Sequence, residues 1–90
     1  MRHKKWRSEL SNMNENRLRE IVAKVFLIDE SEVNDKMSRK DVEEWDSMGH
    51  LMLISEVESA FEVFVADEDI TRIKTIGDVK MVLRKLGVAI

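Results

Sequence analysis

An aspartate and a serine, Asp46-Ser47, stand where an acidic, irregular stretch gives way to an apolar run: Glu44-Trp45-Asp46-Ser47-Met48-Gly49-His50-Leu51, continuing through Met52, Leu53 and Ile54 to Phe61. A serine at the first turn of a helix has its hydroxyl in solvent and lies among backbone N–H groups that lack intrahelical acceptors. Those N–H groups carry the positive end of the helix dipole, so the position suits a hydroxyl that becomes an anionic phosphodiester. The plainer reading is that Asp46 or Ser47 simply caps the helix. His50 projects toward the core side of the same helix and reads as a partly buried structural histidine, since no carboxylate or cysteine stands at a useful spacing.

The positioning elements follow from periodicity. Leu18, Ile21, Val22, Val25 and Phe26 recur at helical spacing and predict a first helix over about 13–28, with Asn12 and Glu15 spaced as a capping box. A second helix is expected over about 47–62. Leu51, Leu53, Ile54, Val57 and Phe61 form its core side, with Met48, Met52, Ser55 and Ser59 opposite and Glu56 on the flank. Asp67-Glu68-Asp69 followed by Arg72 suits a short third helix, acids leading and base trailing. Thr75 can cap a fourth helix over about 76–86, with Ile76, Val79, Val82, Leu83 and Leu86 on one face and Gly87 as its stop. Between the first two helices, 29–46 reads as a long ordered loop with one short helical turn, anchored by Val33, Met37, Val42 and Trp45. The expected fold is all-α, a small four-helix bundle of three main helices and one short one.

Composition narrows the class. Ninety residues with no proline and three glycines leave helices unopposed and disfavour turn-rich β folds. There is no cysteine, hence no disulfide framework and no cysteine-based metal site. No apolar run is long enough to span a membrane, and a cytoplasmic location is the expectation. The acids of 29–46 fail the calcium-loop pattern, and no metal site is expected. Net charge is −3, unevenly placed. Residues 1–12 set Arg2, Lys4, Lys5 and Arg7 against Glu9 and read as a basic, flexible extension with a solvated His3, ahead of a domain over 13–90. Residues 29–69 set fourteen acids against Lys36, Arg39 and Lys40. An acidic middle of that density repels nucleic acid and draws basic protein surfaces.

The order of helix, long loop, Asp-Ser at the head of helix two, short acidic helix and final helix resembles the acyl carrier proteins. The resemblance covers about residues 14–86. It is most specific at Asp46-Ser47-Met48 with Leu51, Leu53-Ile54, Val57, Glu58 and Phe61, then at Val65, Asp67-Glu68, Ile73, Thr75 and Ile76, without insertion or deletion. It implies that Ser47 receives 4'-phosphopantetheine from coenzyme A, with Asp46 beside it as a cap or as a ligand for a metal held by the transferase. It implies a carrier and not an enzyme. The partners would be a phosphopantetheinyl transferase and acyl-loading and acyl-processing enzymes with basic docking surfaces, meeting a monomer. On the residues themselves, Met48 and Met52 are either a packing contact with the loop or a docking surface, and Glu56, Glu58 and Asp67 are the acids expected to join them in partner binding. Departures from the family pattern at Met52, Ser59, Ala60 and Ala66 favour a stand-alone carrier for a specialised pathway. The Asp46-Ser47-Met48-Gly49 run also looks like the D-alanine carriers, and a non-carrier module docking through its acidic face is the alternative outside the family.

Overall fold

A computed structural model describes residues 2–90 of the chain, with side-chain surroundings from Ser8 onward; the side chains of Arg2, His3, Lys4, Lys5, Trp6 and Arg7 lie outside that description. Among the described residues four α-helices follow one another: α1 (Arg2–Phe26), α2 (Ser47–Phe61), α3 (Asp67–Arg72) and α4 (Ile76–Lys85), with a 3-10 turn at Glu30–Glu32 in the first connection. Among the described residues there is no strand, only an isolated antiparallel bridge between Ser38 and Thr75.

α1 begins well before residue 13. Asn12 therefore lies inside a helix and caps nothing, and α1 runs unbroken from Arg2 to Phe26. The early half of α1 lacks apolar periodicity, and its support comes from the far end of the chain. The Ser11 hydroxyl donates to the Ile90 carbonyl at 3.2 Å and the Asn14 amide to the Ala89 carbonyl at 2.7 Å. Ile90 is itself buried. Tertiary contact thus supports a segment whose own sequence is a weak helix former. Glu15, instead of reaching back to Asn12, pairs with Lys80 on α4.

The core is the one the periodicity outlined. Leu18, Ile21, Val22 and Phe26 of α1 meet Leu53, Ile54 and Val57 of α2 and Ile76, Val79 and Leu83 of α4, all buried, with Val25 and Val82 half-buried at its margin. Leu86 departs from expectation: it stands at the C-cap of α4, past the last helical turn, and is exposed. At the other end of α4 Thr75 forms a full capping box with Asp78. Gly87 follows with φ of 94°, the left-handed conformation that ends helices at low cost for glycine.

The α1–α2 connection is ordered because it buries four anchors, Val33, Met37, Val42 and Trp45. Its carbonyls also serve α4: Met37 accepts the Ile76 N–H at 3.1 Å and Asp35 the Gly77 N–H at 2.8 Å, satisfying donors the helix start leaves open. The Lys80 ammonium lies under this junction against Glu15 and, at 2.7 Å, Asp35. Burial alone would lower its pKa; the two carboxylates outweigh that and hold it above the ordinary lysine value.

Candidate functional site

The head of α2 is built from the loop inward. Asp46 has extended backbone geometry and its Oδ1 accepts the Gly49 N–H at 2.8 Å, while its carbonyl accepts the His50 N–H at 2.8 Å. Asp46, not Ser47, is therefore the N-cap. Ser47 is the first helical residue and is exposed. With the Gly49 donor taken, the N–H groups of Ser47 and Met48 are the first-turn donors that helix geometry leaves for solvent or an anion.

Gly49 lets the loop approach. A Cβ on this residue would stand 2.0 Å from the Glu44 carbonyl oxygen, closer than any non-bonded contact allows. Only glycine permits that carbonyl to lie against the first turn, and this close approach sets Trp45 and Asp46 in place. The sequence carried one signal of it, a glycine inside the first turn of an otherwise apolar helix.

Two residues before the serine, Trp45 is buried with its ring stacked on Phe26, centroids 4.9 Å apart. Its indole N–H donates to His50 Nδ1 at 2.9 Å, and His50 Nε2 lies 2.7 Å from the Ile70 carbonyl oxygen. His50 is buried, as expected from its side of the helix, and both ring nitrogens are engaged away from Ser47. It is not placed to serve as a base for that hydroxyl. Among the described residues no group of three or more His, Cys, Asp or Glu side chains could hold a metal ion.

The expected contact residues separate into two sets. Met48 and Met52 are exposed, 72% and 50%, on the side of α2 away from buried Leu53, Ile54 and Val57. Leu51 joins them at 61% exposure, contrary to its expected place in the core. At about 100° per residue it falls on the outer margin, and the His50 ring occupies the inward position instead. The acids lie elsewhere. Glu56 is turned to α1 and pairs with Lys24 at 2.9 Å. Glu58 is half-buried, and its Oε2 accepts the Val65 N–H at 2.8 Å, bracing the turn into α3. Asp67 is exposed in the first turn of α3. The outward side of α2 thus carries Met48, Leu51 and Met52 together with exposed Ser55 and Ser59.

No family model matches the sequence. Among solved structures the chain is similar to the holo acyl carrier protein from Geobacter metallireducens, determined by solution NMR, at a TM-score of 0.71 and 27% identity over 79% of this chain and 82% of that one. An all-helical chain of this order, with an exposed serine opening its second helix, is similar in fold and in sequence to that acyl carrier protein.

Proposed function

We propose that Ser47 carries a 4'-phosphopantetheine group and that the protein presents acyl groups, held on it as thioesters, to partner enzymes of a fatty-acid, polyketide or other specialised pathway. The observation that supports this most is the exposed Ser47 hydroxyl at the first position of α2, with Asp46 capping the helix behind it. The residues fit the group. A phosphodiester on Ser47 would sit beside the first-turn N–H groups and the positive end of the α2 dipole. When bound, the group supplies a thiol, which a chain without cysteine otherwise lacks.

The chain's own part in attachment is limited to presenting the oxygen. The Ser47 hydroxyl attacks phosphorus, its proton leaves to a base, and the nucleotide part of coenzyme A departs. With both His50 nitrogens committed and Asp46 serving as a cap, base and magnesium belong to the transferase. Incubation with coenzyme A and a broad-specificity transferase should create one titratable thiol, and Ser47→Ala should create none; a thiol appearing in both would refute the assignment. The carrier works as a cytoplasmic monomer in this reading.

The outward face of α2 sets how partners meet it. Met48, Leu51 and Met52 are flexible or aliphatic, suited to pockets on more than one enzyme, while the flanking acids, Asp67 among them, raise encounter with basic rims. Met52→Ala should change folding stability by less than about 1 kcal/mol, because an exposed side chain carries little burial energy. It should slow acyl loading with little dependence on salt. A stability loss of about 2–5 kcal/mol, the range for core truncations, with normal loading would contradict the docking role.

A further inference from the structure

His50 is a buried titratable group that the attachment chemistry does not use, and its two hydrogen bonds join parts of the chain far apart in sequence. An indole N–H can only donate, so His50 Nδ1 must be the acceptor for Trp45. The ring proton therefore sits on Nε2, which donates to the Ile70 carbonyl at 2.7 Å.

That carbonyl would otherwise be stranded. α3 has six residues, too few for a helix to persist by itself. The Asp69 carbonyl accepts from the Ile73 N–H, and the Glu68 carbonyl from the Thr71 hydroxyl. The Lys74 N–H, which a longer helix would point at Ile70, is taken by Asp78 Oδ2 at 2.9 Å. His50 thus caps the end of α3 from the side, while Lys85 ties Asp69 of α3 to α4 at 3.0 Å. One end of the histidine bridge is the loop residue two places before Ser47; the other is the short helix that displays Asp67 and Glu68.

From this we infer that His50 is a positioning residue. Through its Nε2 proton it locks α3 to the head of α2, so that Ser47 and the acids of α3 meet a partner enzyme as one rigid surface. The consequence for partners rests on the reading of Ser47 given above; the lock itself does not. Without the bridge α3 stays attached to α4 through Lys85, and the α2–α3 relation is what loosens.

Two substitutions divide the bridge. His50→Asn keeps an acceptor near the Nδ1 position and loses the donor to Ile70; His50→Gln keeps a donor near the Nε2 position. In His50→Asn, amide exchange in α3, read at Ile70 and Ile73, should quicken by about fivefold or more relative to α1 and α4, as loss of one buried hydrogen bond implies. The transferase KM for this carrier should rise by a similar factor with kcat unchanged, and His50→Gln should restore both. In the wild-type protein at pH 8, imidazole nitrogen spectra should show the Nε2–H tautomer; the Nδ1–H form would overturn the lock. So would exchange that quickens evenly over all helices, or α3 protection lost in His50→Gln. Should His50→Asn fail to fold, the tautomer and His50→Gln still decide. A loosened α3 with unchanged KM would overturn the positioning role. A wild-type protein that gains no group refutes the Ser47 reading and leaves exchange and tautomer to judge the lock.

Discussion

Trp45→Ala is expected to cost about 3–5 kcal/mol of folding stability, the range for emptying a buried aromatic site. Trp45 is 2% exposed, stacks on Phe26 and donates its indole N–H to His50 Nδ1. Removing it opens a cavity between α1 and the loop and leaves His50 Nδ1 buried without a partner. Against a total of about 5–15 kcal/mol for a domain, such a loss brings a chain of this size near its unfolding threshold. Trp45→Phe separates the two contributions. It keeps a ring against Phe26, so its cost should fall to about 1–3 kcal/mol, that of one unsatisfied buried polar atom. Urea unfolding followed by far-ultraviolet circular dichroism is the suitable measurement, since Trp6 complicates fluorescence. A Trp45→Ala protein within 1 kcal/mol of wild type, given about 3 kcal/mol as the lower expectation, would show that the loop does not depend on this anchor.

Gly49→Ala should be the next most damaging change, and for a different reason. In an isolated helix it would stabilise by about 1 kcal/mol, since alanine is the better helix former. Here the new methyl would fall 2.0 Å from the Glu44 carbonyl oxygen, a backbone atom that cannot swing aside alone. The loop must retreat, drawing Trp45 from its stack and Asp46 from the cap. Overpacking of this kind costs about 1–3 kcal/mol, and a lost N-cap adds about 1 kcal/mol more. Net destabilisation is therefore expected despite the better helix former, together with slower modification of Ser47 in the protein that remains folded. A more stable Gly49→Ala protein would mean that the loop moves freely and does not set the serine's position.

These two residues also mark how far the sequence can be read. The helical frame was legible because Leu18, Ile21, Val22 and Phe26, and likewise Ile76, Val79 and Leu83, repeat with the helix period and are indeed buried. The caps at Asp46 and Thr75 were legible because their side-chain chemistry acts within three residues. The four loop anchors and the inward turn of His50 also stood in the pattern. What escaped depends on contacts distant in the chain. The start of α1 leans on Ala89 and Ile90, which local propensity does not register. Glu58 looks like any surface acid of a helix until Glu62, at φ of 54°, reverses the chain and brings the Val65 N–H to it. Leu51 lies at the margin of the apolar arc, and a buried hydrogen-bonded histidine displaced it from the core. The Trp45–His50 pairing spans a loop–helix junction, where neither helical nor strand periodicity applies.

The central claim is that Ser47 is the attachment site, and localised mass spectrometry tests it most directly. Cleavage after Lys40 and Arg72 releases one peptide, 41–72, in which Ser47, Ser55, Ser59 and Thr71 are the hydroxyl-bearing residues. After incubation with coenzyme A and a transferase, this peptide should gain a single phosphopantetheine, and fragmentation should place it on Ser47. An unmodified peptide, or a group placed on Ser55, Ser59 or Thr71, would contradict the account.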